Sequence, residues 1–323
     1  MSNLIAAQRE HQGLVASLPA IITSEGRKAT KRFLEFFTAN IRNPNTRLSY
    51  MRAIGPFLAW CEERGLELRQ VEPMAVAAYI ERLTQERAPQ TVKQHLAAIR
   101  MLFDWLVTGQ IVPFNPAASV RGPRYSIRKG KTPVLSAQET RKLLDSIDTS
   151  HVVGLRDRAL VGTMVYSFAR ISAIVNMKVR DYYPNGKRYW IRLHEKGGKF
   201  HEVPAHHTAE KYLDEYIEAA AIAGEKNKPL FRTTRGRSRT LTANQLSRID
   251  AYQIIKRRAQ DAKVSLEISN HTFRATGITE YLRNGGTVEK AAQIAAHEST
   301  KTTQLYNRTD DELTLDEIER IMI

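Results

Sequence analysis

The chain has 323 residues, 42% of them hydrophobic, one cysteine (Cys61) and a formal net charge of +15. That length is ample for one or two domains with a sizeable core, the composition is globular rather than disordered, and a lone cysteine excludes an intrachain disulfide and a cysteine-based zinc cluster. A basic excess of this size, with a pI of about 9.9, points to a polyanion, most often nucleic acid, while no Gly-rich phosphate loop suggests an NTPase.

Residues 1–27 form a leading extension without the pattern of a secretory signal: Arg9, Glu10 and His11 interrupt it early, and Leu14 to Ile22 is broken by Ser17 and Pro19. It either packs on a neighbour or stays loose. No apolar run approaches the length of a bilayer span, so no membrane partner is expected and the location expected is cytoplasmic, on the nucleoid.

Residues 28–118 read as a helical domain. Thr30 to Ala39 predicts a short amphipathic helix carrying Phe33, Leu34, Phe36 and Phe37. Asn45 or Thr46 caps a second, with Leu48, Met51, Ile54, Phe57, Leu58 and Cys61 near helical spacing, and Gly65 ends it. Pro73 opens a third helix, with Val76, Tyr79, Ile80 and Leu83 inward. Pro89 opens a fourth, with Val92, Leu96, Ile99, Phe103 and Leu106 on one stripe. These stripes are core. On the polar faces Arg47, Arg52, Lys93, Gln94, His95 and Arg100 could line DNA; a solvated helix face is the ordinary alternative for any one of them.

Asn115-Pro116 closes that domain. Residues 119–133 are rich in Gly, Pro and basic side chains and lack apolar periodicity, which makes them a linker. Arg121, Arg124, Arg128, Lys129 and Lys131 suit a strap across a phosphate backbone. Residues 134–309 form the second domain. Ser136 and Glu139 make a capping box, and His151 to Phe168 a longer helix with Leu155, Ala159, Met164 and Val165 inward. Lys187 to His194 alternates like a strand, Glu195 to Gly198 turns, and Lys199 to Val203 returns as the second arm of a hairpin. Ala209 to Ala223 and Gln245 to Ala262 read as helices. Between them Arg232, Arg235, Arg237 and Arg239 form a basic loop, a phosphate contact or else a solvated charge run.

Ser269-Asn270 caps a helix on which His271 and Arg274 sit three apart and point the same way. A cation and an imidazole at a helix N-terminus suit an anion such as phosphate. Asn284-Gly285-Gly286 ends this helix. Val288 to Ala296, mostly Ala and Ile, predicts a buried one. His297 follows directly, and Tyr306 lies nine residues later. Singly, His271 reads as a cap histidine and Tyr306 as a half-buried tyrosine; their order and spacing change that weighing. Residues 310–323 form an acidic amphipathic helix with Leu315, Ile318 and Met322 at helical spacing, folded back on its own domain or docked on a neighbour.

His271-Thr-Phe-Arg274-Ala-Thr276, then Ala296-His297, then Thr302-Thr-Gln-Leu-Tyr306 resembles the second signature of the tyrosine recombinases of the phage-integrase family, in which H-x-L-R-x-T is followed by G-H and by a nucleophilic Tyr nine residues after that His. The last half of the chain carries the resemblance strongly, and Asn45 to Arg121 more loosely. It implies a mainly α fold with a small antiparallel β-sheet: a helical, SAM-like core-binding domain that clamps DNA, and a catalytic domain. The stretch Arg156 to Ser172 resembles the family's first signature, with Arg170 on the first catalytic Arg. The residue three after it is Ala173 where the family usually carries an acid that helps orient that Arg; Asp157 or Asp181 could substitute. The family's mobile Lys matches Lys196, preceded by Glu195 rather than Gly, with Lys199 as the alternative. By the same resemblance the tail docks on the next protomer of a ring.

The residue types suit one chemistry. A Tyr phenol can break a phosphodiester and keep the phosphate, storing the bond as a covalent phosphotyrosine. Arg170 and Arg274 are permanently charged planar donors able to bracket the non-bridging oxygens. Lys196 could protonate the leaving 5′-hydroxyl, His271 could take the Tyr proton, and His297 could hydrogen-bond a phosphate oxygen. These groups supply what a metal would otherwise provide, so no metal, cofactor or ATP is expected. The partners expected are double-stranded DNA carrying specific recombination sites, three further copies of the chain in a homotetramer, and accessory DNA-bending proteins. The rival readings are a type IB topoisomerase, a telomere resolvase and a non-catalytic DNA-binding regulator.

Overall fold

The computed structural model describes residues 18–125, 130–195, 200–236, 238–265, 267–307 and 319. The expectations for Arg128, Lys129, Lys196, Lys199, Arg237 and the tail stripe Leu315, Ile318 and Met322 fall outside the described residues. The chain is mainly helical with two small antiparallel sheets. It divides into two compact units, Met1–Ser126 and Ile127–Ile323.

In the first unit α1 (Ala20–Thr23) precedes α2 (Arg27–Glu35), which runs into a π-helical turn, Phe36–Asn40. Part of the leading extension therefore packs within its own unit: Ile21 and Ile22 are buried, and the Ile21 amide donates to Glu62 Oε1 at 2.9 Å. Helix α3 (Pro44–Glu62) starts earlier than expected. Its cap is Asn43, not Asn45 or Thr46, because the Asn43 side chain accepts from the amides of both those residues, at 2.9 and 3.2 Å. Pro44 at the first helical position has no amide to satisfy. Leu48 and Met51, placed inward by spacing, are 47% and 40% exposed, while Ala53 and Trp60 are buried instead. Helices α4 (Pro73–Glu86) and α5 (Pro89–Thr108) begin at the expected prolines and bury the expected stripes. Edge-to-face ring pairs, Phe57 with Tyr79 at 5.1 Å and with Phe103 at 6.2 Å, tie α3, α4 and α5 together.

The second unit is built around α7 (Val152–Ser167), which follows α6 (Ala137–Asp145) and its capping box. Helix α7 is buried on most of its faces, so its sequence shows almost no amphipathic stripe. A short helix, α8 (Ile171–Val175), leads to a sheet of β1 (Tyr182–Asn185), β2 (Arg188–His194) and β3 (Phe200–Pro204), in that order and antiparallel. Strand β1 was not legible because of Pro184; at the sheet edge a proline costs no ladder bond, and Gly186 at φ 62° makes the turn into β2.

After α9 (His207–Ala219) comes a correction to the sequence reading. The expected basic loop is a hairpin, β4 (Arg232–Thr234) against β5 (Leu241–Gln245). Arg232 is buried in it, ion-paired with Glu225 and donating to the Pro229 carbonyl at 2.9 Å. Only Arg235 and Arg239 of the expected contacts are described as exposed there. Gln245 belongs to β5, so α10 (Arg248–Asp261) starts behind the Ser247 cap. The last described elements are α11 (Asn270–Arg283), α12 (Val288–Ile294) and α13 (Thr300–Gln304). Gly277 lets α11 cross α7 closely: a Cβ there would run into the Val165 carbonyl oxygen and the Phe168 ring.

Candidate active site

Arg170, Glu195, His271, Arg274, His297 and Tyr306 converge within the second unit. Arg274 lies one turn into α11 and is 2% exposed. Its Nη2 donates to the Ala295 carbonyl at 2.6 Å and its Nη1 to the Phe168 carbonyl. Both acceptors adjoin backbone strain. Phe168 ends α7 at φ 53° and Ala296 follows Ala295 at φ 48°, left-handed conformations that a residue with a Cβ adopts only when its surroundings enforce them. The close crossing at Gly277 is what brings Arg274 to Phe168.

Arg170 is the N-cap residue of α8, and its Nη1 donates to Glu195 Oε2 at 2.6 Å. This corrects the expectation of Asp157 or Asp181 as its partner. Asp157 is instead fully buried between Arg156 (2.9 Å from Nε) and Arg258 (2.7 Å from Nη2), joining α7 to α10. Asp181 accepts from the Lys178 amide at 2.8 Å and faces His194 at 3.4 Å. Glu195, at the end of β2, was noted in the sequence only as a departure from the family pattern. The missing acid at Ala173 was a signal that another carboxylate should stand near Arg170, but which one depends on tertiary packing.

Two guanidinium groups set the electrostatics. Burial, with the charge of Arg170, pulls the Arg274 pKa down to about 10; the charges of Tyr306 and Glu195 oppose that. Burial pushes His297 down to about 3, and Arg274 and Arg170 push it the same way. His271 is lowered by the same three causes in the same order. At neutral pH both imidazoles are therefore uncharged, the form that accepts a proton, and the two guanidinium groups repel each other, offset in part by the Glu195 carboxylate. An anion between them relieves that repulsion.

Tyr306 follows α13. Its ring lies 5.6 Å from the His297 ring and nearly parallel, at 10°. The Thr279 hydroxyl donates to its carbonyl at 2.6 Å, and the Gly130 amide donates to the carbonyl of Leu305 at 3.0 Å. His297 Nδ1 meets the Thr303 hydroxyl at 2.8 Å; when that hydroxyl is the donor, Nε2 carries the ring proton and can offer it to a phosphate oxygen. Thr279 and Thr303, both buried, were not singled out by sequence, since a threonine inside a helical stretch carries no signal of its own.

The expected DNA contacts divide. Arg52, Lys93, Arg121, Arg124 and Lys131 are exposed. Gln94 is hydrogen-bonded to Ser49, Arg47 donates to the Ile41 carbonyl at 3.0 Å, and Arg100 braces the carbonyls of Ala117 and Val120 at 3.1 and 2.8 Å.

Residues 133–312 match the model of the phage integrase family, and residues 30–111 that of the phage integrase N-terminal SAM-like domain. The chain belongs to the phage integrase family: it is a tyrosine recombinase. Among its relatives, tyrosine recombinase XerD of Chlorobaculum tepidum is 27% identical over 294 residues, 88% of this chain and 92% of that protein. Tyrosine recombinase XerC of Myxococcus xanthus is 27% identical over 286 residues, covering 85% and 92%. The fold is shared with XerH site-specific recombinase bound to a palindromic difH substrate (TM-score 0.69, 18% identity, 91% of this chain and 88% of that one). It is shared also with a lambda integrase tetramer bound to a Holliday junction (TM-score 0.67, 18% identity, covering 88% and 79%). Among the described residues no helix of this recombinase is long and apolar enough to cross a membrane.

Proposed function

We propose that this chain is a site-specific DNA recombinase that cleaves and rejoins double-stranded DNA through a covalent 3′-phosphotyrosine at Tyr306. The observation that carries the reading is the seat of Tyr306, its ring stacked on that of a neutral His297 and its charge felt by the buried Arg274. In this reading the scissile phosphate lies between Arg170 and Arg274. The Tyr306 oxygen attacks phosphorus, the 5′-oxygen leaves with a proton from Lys196, and uncharged His271 accepts the phenolic proton. The guanidinium pair stabilises the extra charge of the pentacoordinate transition state. The exposed Arg52, Lys93, Arg121, Arg124, Lys131, Arg235 and Arg239 are offered as phosphate contacts, and residues 28–118 as the DNA-clamping domain. The shared fold with a lambda integrase tetramer bound to a Holliday junction supports assembly of four copies on paired sites; location on the nucleoid and accessory proteins as further partners are part of the same proposal.

The test is a nicked duplex bearing the flanking repeats of the chain's own element, followed by a denaturing gel. Wild type should form a covalent adduct that persists in EDTA. Tyr306→Phe should bind the duplex as well as wild type and form none. A normal adduct yield with Tyr306→Phe, or cleavage that stops in EDTA and returns with magnesium, would overturn the mechanism.

A further inference from the structure

Arg170 must hold its guanidinium in one orientation to serve a phosphate, and in a cleft that also contains Arg274 it is repelled from the place where it is needed. A carboxylate beside it would fix the orientation and offset the repulsion. The helix that follows offers none: the position three residues on is Ala173, buried at 1% exposure, and its amide donates to the Arg170 carbonyl at 2.9 Å. A carboxylate is nevertheless there. Glu195 is the residue just past the end of β2, 25 positions away in sequence, with a side chain 5% exposed and Oε2 at 2.6 Å from Arg170 Nη1.

Three features distinguish this pair from a surface ion pair. The carboxylate is buried while the guanidinium is 36% exposed, so Arg170 keeps an open edge toward the cleft. The second carboxylate oxygen, Oε1, is buried with no hydrogen-bond partner among the described residues, so no other described donor shares the group. The other acids considered for the role are fully engaged elsewhere, Asp157 by Arg156 and Arg258, and Asp181 by Lys178 and His194.

We infer that Glu195 is the positioning residue for Arg170: its carboxylate, supplied by the hairpin strand rather than by helix α8, aims the guanidinium at the scissile phosphate. The strand end and the first phosphate-binding arginine then form one unit. A buried negative charge this close to a phosphate is tolerated only with a cation between the two, which is where Arg170 stands. This inference rests on the proposed phosphotyrosine chemistry.

The experiment is a double-mutant cycle on adduct formation from the nicked duplex, at saturating DNA, using the full chain. Glu195→Gln keeps the shape and removes the charge. It should slow adduct formation by about 10- to 100-fold, less than the roughly 100- to 1,000-fold expected from losing a donor outright with Arg170→Ala. DNA affinity and the melting temperature should stay close to wild type. Glu195→Asp should restore part of the rate. In the Arg170→Ala background Glu195→Gln should cost nothing further, because a residue that acts through Arg170 has nothing left to act on. An equal loss in both backgrounds would overturn the inference and assign Glu195 to the hairpin itself. A wild-type rate for Glu195→Gln would also overturn it, while leaving the phosphotyrosine reading intact. If wild type forms no adduct, the failure belongs to that reading. If Glu195→Gln melts early, Ala173→Glu in the Glu195→Gln background decides: a rate that rises toward wild type upholds the need for a carboxylate at Arg170, and a rate that stays low overturns it.

Discussion

The two compact units bury different chemistry. Among the described residues, every buried polar or charged side chain lies in the second unit, including Arg156, Asp157, Glu195, Arg232, Arg274 and Thr303. The core of the first unit is aliphatic and aromatic, with Phe36, Phe57 and Phe103 fully enclosed. An apolar core needs only shape and volume, which many sequences supply. A core that contains guanidinium groups needs a particular acceptor for each donor. The helical unit is thus organised to be stable, and the second to hold cations where water would otherwise disperse them.

The comparison can be broken most forcefully at Asp157. Asp157→Ala leaves Arg156 without its counter-charge and Arg258 with only the more distant Asp261, and should lower the stability of the second unit by about 3–5 kcal/mol, read as a shifted denaturant midpoint. Phe57→Ala in the first unit should cost a similar amount by opening a cavity, about 3–5 kcal/mol. The two differ in their repair. Replacing Asp157, Arg156 and Arg258 together by apolar residues should recover most of the loss, and a triple variant as unstable as Asp157→Ala would refute the account. Next in size is Arg274→Ala, which should raise the barrier to cleavage by about 2.7–4 kcal/mol, measured as the single-turnover rate. Arg100→Ala removes a similar brace between a guanidinium and two carbonyls in the first unit and should leave that rate within threefold of wild type, or about 0.6 kcal/mol.

Smaller effects sharpen the contrast. Gly277→Ala should destabilise by about 1–3 kcal/mol through overpacking and slow cleavage, because separating α11 from α7 withdraws Arg274 from Phe168; a rate unchanged despite the lower melting temperature would detach the helix crossing from the chemistry. Smallest is Ala296→Gly. Relief of a left-handed alanine should stabilise the fold by about 1 kcal/mol, read as a higher melting temperature, and Ala296→Val should do the opposite.

Much of the helical unit was legible because its signals are local. Pro73 and Pro89 start helices where their missing amides cost nothing, and the apolar stripes that follow them are buried. The errors there are also local: Asn43 displaced Asn45 as a cap, and Leu48 and Met51 lie on the outer face of α3. In the second unit the order and spacing of His271, Arg274, His297 and Tyr306 pointed to the candidate site. What supports them did not show, because Glu195, Thr279 and Thr303 are tied to the site by contacts between segments far apart in the chain. Helix α7 was read over nearly its whole length although burial on most of its faces blurs its stripe, whereas strand β1 was obscured by a proline that only an edge strand accepts.

The hydrogen bond from the Gly130 amide to the Leu305 carbonyl gives the Tyr306 segment a built-in clock. That carbonyl belongs to the residue just before Tyr306, so the proton of Gly130 is shielded from solvent exchange while the tyrosine segment stays in its seat. Each excursion of the segment opens the bond and admits deuterium. One backbone amide, remote in sequence from the phenol, therefore records how often Tyr306 leaves its place in the free protein.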